Sequence, residues 1–260
     1  MRYFLRLAYN GSRYHGWQSQ PNAISVQQVI ENALQTVLRK PTPIVGAGRT
    51  DAGVHAAEMY AHFDTETQIE KREAFIRSLN HLLGPDIAIF NLIEVGESAH
   101  ARFDAIQRTY KYFVSEIKSP FLYPYSFYSA RRYDIVEMNE CGKILTETSD
   151  FTSFSKLHTD THTNICKVTS AVWQTVDDEI SLSSTSLPFK GMVFTISADR
   201  FLRNMVRAVV GTLLDVGSGK LTQETFKAII GKKDRCAAGT SVPAEGLFLW
   251  KVEYPFIKLK

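Results

Sequence analysis

The segment from Gly46 to Ala56 holds the residues of this chain that are best suited to chemistry. It reads Gly-Ala-Gly-Arg-Thr-Asp-Ala-Gly-Val-His-Ala, so small residues surround Arg49 and Asp51. Small residues allow backbone or ligand to approach closely, and a carboxylate two residues from an arginine is kept ionised by that cation. An ionised carboxylate held in a tight loop suits nucleophilic or general-base catalysis.

The same segment has a second interpretation, a glycine-rich turn in which the Asp51 side chain caps its own backbone. On pattern alone, such a turn is the commoner outcome. A dinucleotide-binding loop is not supported, because the sixth position of the motif that starts at Gly46 is Asp51 and no clear helical pattern follows.

A row of arginines and two aromatic segments suggest contacts with a polyanion. Arg200, Arg203 and Arg207 recur at i, i+3 and i+7, which predicts one helix face opposite an apolar stripe. Such a row contacts phosphates or pairs with a carboxylate, although a solvated face is commoner. Tyrosines stand beside lysine or arginine at 108–112 and 123–133, which suits base stacking and equally suits ordinary strand packing.

Metal and disulfide chemistry find little support. His158, Asp160 and His162 carry the donors of a metal site, but their segment is polar and loop-like, so we predict no metal there. The three cysteines lie far apart, which fits neither a disulfide scaffold nor a zinc site. A reducing, cytoplasmic compartment is the simplest expectation.

The composition is that of an ordinary globular protein. Of 260 residues, 44% are hydrophobic and 22% charged, which excludes disordered, collagen-like and low-complexity classes. The 30 Lys and Arg against 27 Asp and Glu give a net charge of +3, a mild excess that permits a polyanionic partner. We predict neither a signal peptide nor a membrane span, because charged residues interrupt the richest apolar stretch, 201–216.

Hydrophobic periodicity predicts interleaved strands and helices. The predicted strands are 2–9, 57–64, 87–95, 108–116, 165–176, 179–184, 190–198 and 246–253. The predicted helices are 25–40, 71–83, 136–146, a long helix from 201 that ends at Gly217 or Gly219, and 222–230. The strands alternate more than they run continuously apolar. We therefore predict an α/β or α+β fold with a mostly antiparallel, mixed sheet and helices mainly on one face.

The string Gly48–Ala56 resembles the signature of the TruA family of tRNA pseudouridine synthases, and similar segments cover the whole chain. These segments are Tyr3–Gly11, Tyr14–Gln18, Ser25–Gln27, His100–Phe103, Arg108–Tyr112, Phe201–Arg207 with Gly211, and Pro243–Leu247. The resemblance implies a sheet built from two similar halves. Residues 1–105 would carry the catalytic Asp loop, and residues 106–260 would complete the cleft between the halves.

The resemblance also implies a reaction, the isomerisation of uridine to pseudouridine in the anticodon stem-loop of tRNA, at positions thirty-eight, thirty-nine or forty. The N-glycosidic bond breaks, the base turns over and C5 joins the ribose, without cofactor or metal. The target base must be flipped out, at a cost of a few kcal/mol, and phosphate contacts should make binding weaken with salt. A cytoplasmic homodimer is implied, with one tRNA touching both subunits.

Individual roles follow from the resemblance, position by position. Asp51 matches the nucleophile, Arg207 its ion-pair partner and Arg49 a second nearby arginine. Tyr110 matches the tyrosine that stacks on the extruded base, and Leu247 a residue that packs against the site. The remaining substrate-binding positions are Arg102, Arg108 and Arg203.

Two other functions stay open on the sequence. A non-catalytic tRNA-binding or folding chaperone would use the same basic and aromatic surface. A small-molecule nucleotide enzyme would use the loop 46–53 to bind phosphate. Tritium release from uridine-labelled tRNA separates the enzyme from the chaperone, and saturable binding of a free nucleotide would favour the third.

Overall fold

The computed structural model describes residues 1–156, 163–182 and 185–258, and in these residues it has nine β-strands and five α-helices. The strands are β1 (Arg2–Tyr9), β2 (Val45–Gly46), β3 (His55–Asp64), β4 (Ile87–Val95), β5 (Gln107–Ser115), β6 (Phe127–Tyr128), β7 (Val168–Leu182), β8 (Thr185–Ala198) and β9 (Leu247–Glu253). The helices are α1 (Val26–Leu38), α2 (Arg72–Leu82), α3 (Ile135–Glu147), α4 (Met205–Gly217) and α5 (Gln223–Lys232).

The chain divides into two compact units. The first comprises Met1–Arg108 with Phe248–Lys260, and the second comprises Thr109–Leu247. The first unit therefore includes a segment from the far end of the chain. The catalytic roles assigned above to residues 1–105 and 106–260 stay predictions.

In the first unit, β1 is the central strand of the order β4–β1–β3 and pairs antiparallel with both neighbours. The short β2 pairs antiparallel with β3. At the start of β3, His55 and Ala56 pair in parallel with Phe248 and Leu249 of β9. The sheet is therefore mixed but mostly antiparallel.

Local sequence signals position α1 well. The Ser25 hydroxyl accepts a hydrogen bond from the backbone amide of Gln28 at 3.3 Å, which satisfies one of the free amides at a helix start. Val26, Ile30 and Leu34 are fully buried on one stripe, as the spacing predicts. The helix ends where Arg39 adopts a left-handed conformation with φ of 57°, two residues before Pro41.

In the second unit, β7 and β8 form one long antiparallel hairpin beside β5, and β6 pairs in parallel with β5. The sequence-based division into three strands, 165–176, 179–184 and 190–198, is wrong. The acidic run that begins at Asp177 interrupts the apolar pattern, but the backbone pairing continues through it, with Asp177 opposite Lys190 and Asp178 opposite Phe189. Polar side chains on exposed strand positions do not stop a ladder.

The predicted start of the fourth helix at Phe201 is also wrong, because α4 begins at Met205. Asn204 has φ of 65° and ψ of 1°, a left-handed conformation that cannot continue a right-handed helix. Arg200 and Arg203 therefore precede the helix and only Arg207 lies on it, so the predicted row of three arginines on one helix face does not form.

The predicted fold class, an α+β arrangement with a mixed and mostly antiparallel sheet, is confirmed. Across the described parts of the chain, helices are either too short or too polar to cross a lipid bilayer.

Candidate functional site

Asp51 begins a tight turn between β2 and β3. The Val54 amide donates a hydrogen bond to the Asp51 carbonyl at 3.2 Å, and Gly53, the third residue of the turn, has φ of 78°. A positive φ at the third position is what a type II turn requires, and glycine adopts it without strain. A glycine-containing turn is therefore present, and the half-buried Asp51 stands at its first position.

The residue before Asp51 is fixed from two directions. The hydroxyl groups of Tyr9, at the end of β1, and Thr50 are 2.8 Å apart and share a hydrogen bond. The Thr50 carbonyl accepts the amide of Trp17 at 3.2 Å. All three side chains are buried, so water does not compete for these bonds.

Glycines let the segment before α1 pack directly on this turn. Gly16 has φ of 91°, and a Cβ atom there would lie 2.4 Å from the Thr50 carbonyl oxygen. A Cβ atom on Gly11 would lie 2.0 Å from the Val54 carbonyl oxygen. Any larger residue at either position would push the backbone of the turn away.

His55 closes the turn from the other end. Its side chain is 1% exposed, its Nδ1 accepts the Gly11 amide at 3.1 Å, and its ring stacks on Phe248 with 4.6 Å between centroids. These contacts give His55 a positioning role that the sequence analysis missed. Only its place directly after the turn was visible, because its partners come from distant parts of the chain.

Arg108 joins a second loop to the segment between β2 and Asp51. Its guanidinium donates to the carbonyl oxygens of Ala47 at 2.9 Å, Arg102 at 2.5 Å and Ala105 at 2.9 Å. Arg102 and Arg49 are exposed, whereas Arg108 is half-buried. The structure therefore brings Arg102 and Arg108 together beside the segment that precedes the turn.

In the second unit, Arg207 joins α4 to the segment Gly239–Leu247. Its Nε donates to the Val242 carbonyl at 2.7 Å, and the Val242 amide donates to the Arg207 carbonyl at 3.1 Å. One turn further along α4, a Cβ atom on Gly211 would lie 1.9 Å from the Thr240 carbonyl oxygen. Helix and segment are thus in direct backbone contact around Arg207.

The same segment is anchored to β5 near Tyr110. The Tyr112 hydroxyl donates to the Pro243 carbonyl at 3.0 Å, and the Phe113 amide donates to the Gly246 carbonyl at 2.9 Å. Burial raises the pKa of Tyr112, so its hydroxyl keeps the proton that it donates. Leu247 is buried, and the half-buried Tyr110 contacts Phe201 edge-on with ring centroids 5.0 Å apart.

The predicted site residues are divided between the two units. The first unit holds Asp51, Arg49, Arg102 and Arg108, and the second holds Arg207, Arg203, Tyr110 and Leu247. Arg203 is exposed in the segment before α4. Among the described residues, no three histidines, cysteines or acids are grouped to hold a metal ion, and the segment His158–His162 lies outside the described residues.

The described residues form an α+β protein in which an acid, Asp51, stands at the start of a glycine-lined turn. The family model described as tRNA pseudouridine synthase matches residues 7–104 and 145–255 of this chain. The chain belongs to the TruA family of tRNA pseudouridine synthases, and it is an isomerase. The resemblance stated from the motifs is therefore confirmed.

Relatives match along nearly the full length. The tRNA pseudouridine synthase A of Bacteroides fragilis is 53% identical over 254 residues, which cover 98% of this chain and 96% of that protein. The protein of the same name from Porphyromonas gingivalis is 51% identical, with 98% and 97% covered. That of Bacillus subtilis is 37% identical, with 98% and 99% covered.

Proposed function

We propose that this enzyme isomerises uridine to pseudouridine in the anticodon stem-loop of tRNA, at positions thirty-eight, thirty-nine or forty, with Asp51 as its nucleophile. The observation that carries this proposal is the half-buried Asp51 at the first position of a tight turn. Thr50, directly before Asp51, and Val54, at the end of the turn, are both held by hydrogen bonds. Aspartate carboxylates are among the side chains that enzymes use as nucleophiles, and this one stands on backbone that is held by hydrogen bonds.

The reaction balances without an oxidant or reductant. The bond from N1 to the ribose C1′ breaks and a bond from C5 to C1′ forms, while C5 loses a proton and N1 gains one. Three routes are open to the carboxylate, namely attack on C1′, attack on C6 of the base and a glycal-type path. Each requires an ionised acid at a fixed position, and Arg49 stands two residues from Asp51 in sequence.

Residues of the second unit have further proposed roles. Arg207 is the ion-pair partner that keeps Asp51 oriented, Tyr110 stacks on the extruded uracil and Leu247 packs against the site. The support for these roles comes from contacts inside the second unit. Arg207 and Leu247 both belong to the hydrogen-bonded assembly of α4, β5 and the segment 239–247. A stacked aromatic ring recovers about 1–3 kcal/mol of the cost of extruding a base.

The substrate is held by phosphate contacts in this proposal. Arg102 and Arg203 are exposed and suited to phosphate oxygens. Arg108 belongs to the substrate-binding set too, and its carbonyl contacts add a positioning role. The enzyme acts in the cytoplasm as a homodimer without cofactor, and one tRNA contacts both subunits, so that a net charge of +3 per chain is shared.

Replacing Asp51 with Asn tests the proposal. The amide keeps the size of the side chain but cannot act as a nucleophile, so we expect Asp51→Asn to abolish tritium release from tRNA labelled at uridine C5 while tRNA binding persists. Asp177→Asn, at an exposed position of β7, is the matched control and should retain full activity.

Two results would contradict the proposal in different ways. Continued tritium release by Asp51→Asn would show that another group is the nucleophile. If the wild-type enzyme in large excess bound tRNA but released no tritium, the protein would be a tRNA chaperone.

A further inference from the structure

Phe103 is more exposed than any other large hydrophobic side chain that the structure describes, at 74%. It stands in the loop between β4 and β5. A single exposed apolar residue is ordinary on protein surfaces. Phe103 differs because the loop that presents it is held by hydrogen bonds on nearly every side.

His100 organises the tip of this loop. Its Nδ1 accepts the backbone amides of Arg102 at 3.1 Å and Phe103 at 3.2 Å. The Asp104 carboxylate accepts the amide of His100 at 2.8 Å. The His100 and Phe103 rings lie 4.3 Å apart at a tilt of 32°, so Phe103 has a fixed orientation and yet remains open to solvent.

The base of the loop is equally constrained. His62 Nδ1 accepts the Ala101 amide at 3.1 Å, and the Tyr254 hydroxyl donates to the Ala101 carbonyl at 2.5 Å. The Arg2 guanidinium donates to the Ala99 carbonyl at 2.9 Å. The loop is therefore already ordered before a ligand binds, so binding costs less conformational entropy.

This loop is coupled to the catalytic turn through Arg108. One terminal nitrogen of Arg108 donates to both the Arg102 and Ala47 carbonyl oxygens. Ala47 directly follows β2 and precedes Asp51 by four residues. Within the first unit, the exposed ring is thus presented by backbone that is tied to the backbone of the proposed nucleophile.

The chemistry of the loop matches an unpaired nucleotide. The Arg102 guanidinium carbon lies 5.6 Å from the centroid of the Phe103 ring. An open aromatic ring accepts the flat face of a base regardless of its sequence, and a neighbouring arginine suits the attached phosphate. RNA with one base extruded exposes such a face, because the bases next to the gap lose a stacking partner.

We propose that Phe103 stacks on the base next to the target uridine and that Arg102 contacts the adjoining phosphate, which holds the gap in the RNA open. This inference rests on the proposed function, since it assumes an extruded uridine. It assigns a role to Phe103 and makes the loop 99–105 a positioning element for the RNA.

The test uses the whole enzyme and an anticodon stem-loop RNA with 2-aminopurine beside the target uridine. Stacking quenches 2-aminopurine fluorescence, and extrusion of the uridine removes the stacking partner that the probe has in free RNA, so the wild-type enzyme should keep the fluorescence quenched on binding. We expect Phe103→Ala to lose this quenching and to weaken RNA affinity about tenfold. Phe103→Trp should retain both, because the indole ring also stacks.

Phe90→Ala is the matched control. Phe90 is also exposed, at 49%, and the Arg6 guanidinium carbon lies 5.7 Å from its ring centroid. Removing it takes away the same ring beside the same kind of cation, without touching the loop 99–105. The Phe90→Ala variant should quench 2-aminopurine and bind the RNA as the wild-type enzyme does. Neither alanine substitution should change the melting temperature of the protein.

If Phe103→Ala quenched and bound like Phe90→Ala, the inference would be overturned. Binding and fluorescence do not require turnover, so both are also measured in the Asp51→Asn background. An enzyme that released no tritium but lost quenching with Phe103→Ala would contradict the proposed function and leave the stacking intact. Normal tritium release with unchanged quenching would overturn the stacking alone.

Discussion

Arg108 and Arg207 show that half-buried arginines of one chain perform different tasks. Arg108 donates to three carbonyl groups of its own unit, so its guanidinium acts as a structural clamp. Arg207 has its Nε directed at the Val242 carbonyl, which orients the guanidinium plane. For a proposed partner of Asp51, this orientation matters because carboxylate pairing depends on the direction of the N–H groups.

We expect Arg207→Ala to lower single-turnover rate far more than tRNA affinity. In the proposed pair, loss of Arg207 would leave the Asp51 charge without its partner, and we expect the rate to fall on the order of 100-fold. The single-turnover rate of Arg207→Lys should lie between those of the wild-type enzyme and Arg207→Ala, because lysine keeps the charge but lacks the planar guanidinium.

Rates from tritium release and dissociation constants from filter binding measure this split. The comparison variant is Arg203→Ala, at an exposed position in the segment before α4, which should weaken affinity and leave the rate at saturation nearly unchanged. Equal losses of rate and affinity in Arg207→Ala would instead identify Arg207 as a phosphate contact.

The turn that carries Asp51 depends on the segment that precedes α1. Gly16 combines a φ of 91° with a carbonyl oxygen at 2.4 Å from the place of a Cβ atom. A side chain at Gly16 would therefore strain the backbone and also collide with the Thr50 carbonyl oxygen. The group that must move is this carbonyl, which directly precedes Asp51. A change at Gly16 therefore reaches the turn that carries Asp51 through the backbone.

Gly16→Ala should lower the free energy of unfolding and also slow tritium release at saturating tRNA. The left-handed conformation alone costs about 1–2 kcal/mol for a residue with a side chain. Gly219→Ala is the control for conformation, since Gly219 has φ of 75° with nothing near its missing side chain. Gly84→Ala, with neither strain nor neighbours, controls for composition.

Urea unfolding and kinetics measure the two effects. A Gly16→Ala variant that lost no more stability than Gly219→Ala and kept full activity would show that the close approach to Thr50 is unimportant.

Elements with strong local signals were predicted well. The Ser25 cap and the apolar stripe of α1 act within one or two helical turns, so sequence reasoning locates that helix closely. The start of α4 was missed, because Phe201 and Leu202 extend its apolar pattern while Asn204 adopts a left-handed backbone. Periodicity reports which residues are apolar and does not report where the backbone departs from the helix.

The stability of the molecule should depend on histidines of the first unit that have no proposed catalytic role. Burial, together with the charges of Arg2 and His100, lowers the pKa of His62 to about 4, while Asp64 and Asp104 oppose the shift. His62 is 5% exposed, and its Nδ1 accepts the Ala101 amide. Burial also lowers the pKa of His100.

Because the folded pKa of His62 lies below the unfolded value, the unfolded chain binds the extra proton first as pH falls. The stabilisation is complete above the unfolded pKa of about 6.5 and is lost as pH falls toward 4. Between pH 7.5 and 5, His62 alone should cost about 2 kcal/mol of unfolding free energy.

Urea unfolding at a series of pH values measures this loss. His62→Gln should flatten the profile, since glutamine offers an acceptor to the Ala101 amide and does not titrate. His81→Gln, at an exposed position near the end of α2, should leave it unchanged. A profile for His62→Gln as steep as that of the wild-type enzyme would contradict the assignment.

Short-range information in the chain was enough to predict the glycine turn at Asp51, the capped helix α1 and most strands, because turn chemistry, caps and periodicity act over a few residues. The contacts that hold the turn in place were decided only by the tertiary structure. The parallel pairing of His55 with Phe248 and the approach of Gly11 and Gly16 join residues that are tens to hundreds of positions apart. Their partners are selected by packing and by which backbone groups lie close together, and no local pattern records that choice.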